Sequence, residues 1–264
     1  QGKSEGTNFT GSLLIGHSTS GTLNAATYNT AVGLTALDAL TSADENTAVG
    51  YGAAGALTTG SQNTAIGRDA MKTATTAASY SVALGYYSMR DGVGGFGNTG
   101  LGYHTLRDVT GRDNIAIGTN SGRNITSGSG NIFIGDYLDA GGATDSRRLK
   151  IVGYDGTTTT SWILGDDSGN LVFPADVTLG DDLHLDSDAA VLKFGDDGEI
   201  TLTHDADVGL KLKHTATADD KPIVLTLQTG ETDMAANDVM GAIRFQAPDE
   251  GTGTDAILVA AAIQ

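Results

Sequence analysis

Polar and apolar positions in the first half of this chain recur on a fixed beat. A five-residue phrase, polar–variable–small–aliphatic–glycine, occurs as Ser12–Gly16, Asn29–Gly33, Asn46–Gly50, Asn63–Gly67, Ser81–Gly85, Asn98–Gly102, Asn114–Gly118 and Asn131–Gly135. The closing glycines Gly16, Gly33, Gly50, Gly67, Gly85, Gly102, Gly118 and Gly135 are 17, 17, 17, 18, 17, 16 and 17 residues apart. The residue before each glycine is aliphatic: Ile15, Val32, Val49, Ile66, Leu84, Leu101, Ile117 and Ile134. Two before the glycine stands Ala31, Ala48, Ala65, Ala83 or Ala116, with Leu14, Gly100 and Phe133 as exceptions. A fixed period of this length predicts a solenoid in which each repeat is one coil stacked on the last. Alternation within the phrase predicts a short strand, with the aliphatic residue on one face and the small residue on the other. The expectation is that the aliphatic column fills the inside of each coil. The small-residue column is then the face where another backbone approaches.

The closing glycine suits a turn that needs positive φ. The asparagine that opens the phrase can stack on its equivalent in the next coil as an amide ladder. A second apolar patch, at Leu37, Met71, Met89 and Leu106, predicts a second short strand on the far side of the coil; it fades at Gly122 and Asp139. Eight such coils stack to about 38 Å at the usual strand spacing. A coil this short encloses little volume, so self-association is expected to complete the core.

After Arg147, Arg148 and Lys150 the beat changes. Leu164–Asp167, Leu179–Asp182 and Phe194–Asp197 share the pattern apolar–Gly–Asp–Asp at intervals of 15, with Gly165, Gly180 and Gly195 expected in turns. Strand-like alternation lies between them at Asn170–Phe173, Asp182–Leu185, Ala190–Phe194, Glu199–Thr203 and Leu210–Lys213. The domain reading is therefore a roll over 1–150, a shaft over 151–215 and a small β module over 216–264. In the module, Pro222–Gln228 and Gly241–Gln246 read as strands. The chain opens without Met, which suggests a processed N-terminus or a piece of something longer, and it closes on the apolar Ile257–Gln264, where further chain or a partner is expected.

Composition narrows the function. Gly is 38 of 264 residues and Pro only 3, with no triplet period, which excludes collagen. There is no Cys, hence no disulfide, thiolate metal site or cysteine nucleophile. Residues 1–150 carry 10 basic and 11 acidic residues, whereas 151–264 carry 5 and 21. The acidic half repels nucleic acid and anionic lipid, and no apolar run reaches membrane-spanning length.

Candidate chemistry is thin. The aspartate pairs 166/167, 181/182 and 196/197 read as turn and solubility residues, not a Ca²⁺ loop. His184, His204 and His214 lack a paired His-x-His spacing and read as surface residues. No carboxylate pair, triad or phosphate loop stands out from the repeats, so neither catalysis nor a cofactor is expected. The segment 80–97 reads as an insertion. Tyr86, Tyr87 and Phe96 there are the candidate receptor contacts.

The Asn-Thr-Ala-Val-Gly and Asn-Thr-Ala-Ile-Gly phrases resemble the head repeats of YadA-type trimeric autotransporter adhesins, in the longer form found in bacteriophage tail fibres. The resemblance covers about 8–140. It implies an all-β chain, a left-handed parallel β-roll solenoid followed by a fibrous trimeric β-shaft. The phrases Leu179–Asp186 and Phe194–His204 are similar to shaft repeats in fibres of phages that infect marine bacteria. Together these imply a homotrimeric virion fibre for host attachment. Its partners would be two further copies of the chain, other virion proteins and a host surface glycan or protein. A bacterial surface adhesin, a capsid or neck fibre, and a polysaccharide-cleaving tailspike are the alternatives.

Overall fold

The computed structural model describes residues 2–6, 9–16, 22–75, 78–92, 94–139, 141–180, 183–186, 190–194, 200–206, 208–215, 222–225, 243–246 and 259–263. Among them the regular structure is entirely β. Two compact units divide the chain, Gln1–Thr178 and Leu179–Gln264.

In the first unit a hairpin, β1 (Gly2–Gly6) and β2 (Phe9–Ile15), opens a parallel stack. The stack continues through β4 (Thr30–Val32), β5 (Thr47–Val49), β6 (Thr64–Ile66), β7 (Val82–Leu84), β8 (Thr99–Leu101), β9 (Ile115–Ile117) and β10 (Ile132–Ile134). The short β3 (Ala26–Thr27) pairs with β2 beside it. Pairing follows the phrase without slippage: Thr30, Ala31 and Val32 lie opposite Thr47, Ala48 and Val49, and Ile66 lies opposite Leu84 across the longer repeat. Each of β4 to β10 is held to three residues because a buried asparagine, or the buried Ser81 before β7, precedes it and a glycine with positive φ follows. Gly33 has φ +135°, and a Cβ there would sit 2.5 Å from the carbonyl oxygen of Gly50. Neither the angle nor the space admits a side chain.

The faces of the strands are the reverse of the sequence expectation. Ala31, Ala48, Ala65, Ala83 and Ala116 are buried inside the coils. The aliphatic residues point outward: Ile15, Val32, Val49, Leu84, Ile117 and Ile134 are exposed, and Ile66 and Leu101 are half-buried. The reason is volume. The interior is already filled from the turn side by Leu37, Leu40, Leu57, Met71, Met89, Leu106, Val109 and Ile125, so the strand contributes only a methyl group. The exception proves the pairing of columns. Phe133 takes the inward position in the last strand, and there the turn residue is Gly122, whose missing Cβ would lie 3.0 Å from the Phe133 ring.

The predicted second strand is absent. Residues 34–39 and their equivalents form consecutive turns, with Leu37, Met71, Met89 and Leu106 at φ between 46° and 52°. Left-handed backbone costs an L-residue about 1–2 kcal/mol. Here it is offset by burial of the side chain and by hydrogen bonds to the next coil, such as Leu37 N–H to Ala53 C=O at 3.0 Å. The segment 80–97 is no insertion either. It holds β7 and its turn in ordinary register, and the extra residue of the long repeat is taken up between Ala74 and Ala78.

The amide ladder is present. The Asn46 side-chain N–H donates to Asn29 Oδ1 at 3.1 Å, Asn63 to Asn46 at 3.0 Å, Asn114 to Asn98 at 3.0 Å and Asn131 to Asn114 at 2.8 Å. A second amide proton crosses the coil, as from Asn46 to Gly60 C=O at 3.0 Å. Ser81 bridges the missing rung, its N–H donating to Asn63 Oδ1 at 3.1 Å while its hydroxyl accepts from the Asn98 N–H at 3.2 Å. Desolvated amides are thus satisfied along the whole stack, which is what permits their burial.

The sheet does not stop at residue 150. β11 (Leu149–Tyr154) pairs in parallel with β10, and Leu149 and Ile151 continue the outward columns opposite Ile132 and Ile134. The chain then reverses into β12 (Thr159–Gly165) and β13 (Leu171–Val172), which cap the stack. Gly165 is the last residue of β12, not a turn residue; the turn is Asp166–Gly169, closed on Asp166. Gly180 lies in a bend, and Gly195 falls outside the described residues.

In the second unit β14 (Val191–Phe194), β15 (Ile200–Asp205) and β16 (Gly209–His214) form an antiparallel sheet, and β17 (Ile243–Gln246) pairs with β18 (Val259–Ile263). No strand forms over residues 183–186 or 222–225.

Candidate functional site

Two surfaces of the first unit stand out. One is the outward wall of the strands. Its two columns run Leu13, Thr30, Thr47, Thr64, Val82, Thr99, Ile115, Ile132, Leu149 and Ile15, Val32, Val49, Ile66, Leu84, Leu101, Ile117, Ile134, Ile151. Exposure is 44% at Ile15 and still 37% at Ile134, so the wall is open along its length. With nine rungs at ~4.8 Å and a strand width of ~10 Å, its footprint is about 400 Å².

The other surface is the turn after the closing glycine. Tyr86 and Tyr87 stand there, on the first and second turn positions, with ring centroids 3.9 Å apart. Phe96 is elsewhere on the coil, bridged to Ser79, and makes no ring contact with them among the described residues. What the structure adds instead is Tyr103 and His104 on the next coil. Tyr103 stacks on Tyr86 at 5.5 Å and on His104 at 4.1 Å, and His104 lies 5.0 Å from Tyr87. Below, the Arg68 guanidinium sits 5.7 Å from both the Tyr51 and the Tyr86 rings, and Arg90 lies 4.4 Å over Tyr87. The period could have revealed this cluster, because residues 17 apart share a column.

His104 is held below its ordinary pKa, chiefly by desolvation and then by Arg107 and Arg90. Its Nε2 is buried without a hydrogen-bond partner. The Tyr86 hydroxyl is pushed up, first by its hydrogen bond with Tyr87.

The other candidates resolve into local structure. Asp155 is lowered to about 2 by hydrogen bonds from the Thr158 N–H and then from Thr157. Asp166 is lowered by the Asn170 side chain and backbone. Both are turn carboxylates. Arg148 spans Asp145 at 3.8 Å and Asp167 at 4.0 Å, and the Lys150 ammonium donates to Asp139 C=O at 2.6 Å; the basic cluster ties the last coil to its cap. Strand register places His214 opposite Ile200 and His204 opposite Leu210, at different ends of their hairpin. Among the described residues no three of His, Asp and Glu gather to hold a metal. No helix there is long and apolar enough to cross a membrane.

Comparison with protein-family models, with curated proteins and with solved structures gives no match.

Proposed function

We propose that the chain is a self-associating fibre subunit, and that the exposed aliphatic wall is the face by which it joins two further copies of itself. The observation that carries this is the continuity of the wall: nine aliphatic rungs in register, from Ile15 to Ile151, with water on them in the single chain. Contiguous apolar patches above a few hundred Å² mark interaction sites. A wall of evenly spaced aliphatic rungs is matched best by another copy lying parallel to it. The resemblance of the repeats to YadA-type heads and phage fibres favours three chains around one axis, and a virion appendage that attaches the particle to its host. Stacking accounts for the periodic residues, so the role is one of reach and binding, without catalysis.

Light scattering tests the reading. A mass near three times 26.8 kDa is expected. A folded species at 26.8 kDa would overturn it.

A further inference from the structure

The last hairpin of the first unit carries a groove that the roll does not use. β11 outruns the strand beside it: Ile151 is its last residue paired with β10, and Val152, Gly153 and Tyr154 pair with β12 alone. The pairing with β12 slips between Ile151 and Val152, whose partners are Ile163 and Ser161. Trp162 is the extra residue of that bulge, a place where a strand re-aims a side chain. Its six-membered ring lies against Gly153, where a Cβ would stand 2.6 Å from the ring. Trp162 is still 56% exposed, and among the described residues no other ring and no guanidinium stacks on it.

Gly153, Tyr154, Asp155, Thr158, Thr160 and Trp162 line an open groove of about 350 Å³, at the small end of ligand sites. Its polar side is built in advance. The Thr157 N–H and hydroxyl and the Thr158 N–H donate to Asp155 Oδ1 at 2.9, 2.8 and 2.8 Å. These bonds, that from Thr158 first, hold the carboxyl at about 2, so it is charged at neutral pH. None of the three uses Oδ2. Tyr154 fastens the same tip: its hydroxyl donates to Gly156 C=O at 2.8 Å, and its ring lies 5.1 Å from that of Tyr137 on the roll.

An indole beside a fixed carboxylate and two threonine hydroxyls has the chemistry of a sugar-binding groove. The C–H face of a pyranose covers the ring, and its hydroxyls donate to the carboxylate in charge-assisted bonds. The negative charge turns away sugars that carry a carboxylate of their own. We propose that this groove binds an uncharged hexopyranose, with the C–H face of the sugar on the Trp162 indole and neighbouring hydroxyls donating to Asp155 Oδ2. This deepens the attachment reading above and rests on it for the source of the sugar, a host surface.

Trp162 is the chain's one tryptophan, so its emission reports on this groove alone. The test titrates the full-length protein with methyl glucoside, methyl galactoside and methyl mannoside. Methyl glucuronide is the charged control, and light-scattering mass is read on the same samples. At least one neutral glycoside is expected to shift the emission saturably in the millimolar range, and the glucuronide is not. Acrylamide should quench the free protein readily, and that glycoside should protect it. Asp155→Asn keeps the acceptor for the turn and is expected to weaken binding about tenfold by saturation-transfer NMR. Trp162→Ala should abolish binding and Trp162→Phe restore part of it, all with circular dichroism and mass unchanged. No shift with any of the three neutral glycosides overturns the proposal. So does equal affinity for the glucuronide, an unchanged affinity in Asp155→Asn, or a Trp162 that acrylamide cannot reach because a neighbouring copy covers it. A trimer with a silent tryptophan would leave the fibre reading standing without this one. Glycoside binding by a monomer would do the reverse.

Discussion

In the coils of the first unit the large apolar side chains leave water: Leu37, Leu40, Leu57 and Leu106 have no exposed surface. In the second unit they remain in it, with Phe194 exposed by 55% and Leu210 by 71%. Both regions carry the same kind of alternating pattern. The difference lies in how the chain returns on itself. A coil comes back to the same place every period, so residues one repeat apart cover one another and the turn leucines close the interior. A three-stranded antiparallel sheet has two faces and, among the described residues, neither is covered. The roll thus owns its core and has an apolar wall left over, whereas the described three-stranded sheet of the second unit has only walls.

The sharpest way to break this contrast is to place one charge on either side of the same strand. Ala48→Asp buries an unpaired carboxylate and is expected to cost several kcal/mol, abolishing the fold by circular dichroism. Val49→Asp, its immediate neighbour, should leave the β signal intact and lower the mass from trimer to monomer. If the two variants behave alike, the assignment of inside and outside is wrong.

A second test separates the units. Residues 1–178 alone should melt cooperatively, while 179–264 alone should not at micromolar concentration. A cooperative monomeric transition in the second piece would show that its apolar faces are satisfied within the chain.

The ladder offers a graded test. Asn63→Ala strips the partners from the Ser81 N–H and the Ala78 C=O, at about 1–3 kcal/mol for each group left unsatisfied, and removes one of the two donors to the Asn46 side-chain oxygen. Asn63→Ser should recover part of that loss in denaturant melts, because serine already serves at position 81. Equal stability of the alanine variant and wild type would remove the ladder from the account of the core.

The smallest effect concerns pH. His104 has a folded pKa lowered below 6.5, so the folded state binds its proton less well than the unfolded state. Its stabilising effect is present above pH 6.5 and is lost as pH falls through the folded value. Replacement by Asn should flatten the melting temperature against pH in that window. A steeper acid slope in the variant would contradict the burial argument.

Much of the first unit was legible in the sequence: the period, the closing glycines and the asparagine ladder all follow from residues that recur. Which strand face lies inside was not, because alternation defines two faces without saying what fills the space between walls. The clue was present as a pair of exceptions, Phe133 in a column that is mostly alanine and Gly122 in a column that is mostly leucine or methionine. The turn surface was half legible. Tyr86 and Tyr87 were apparent as a doublet, but Tyr103 and His104 join them only when the coil is wound, and Phe96 is carried away by the same winding.

Every rung of the asparagine ladder donates in the same direction, from the later coil to the earlier one. The top and the bottom of any coil therefore present the same complementary ends. Removing residues 46–62 would set Asn63 where Asn46 had been, with Asn29 as its acceptor and all columns in step. The molecule then behaves as a ruler with one graduation per coil: its length changes by about 4.8 Å for each 17 residues gained or lost. A gain or loss of any other size must be hidden on the far side of the coil, as the single extra residue near Ala74 already is. Reach can be tuned in whole units by recombination among repeats, with no new interface to invent.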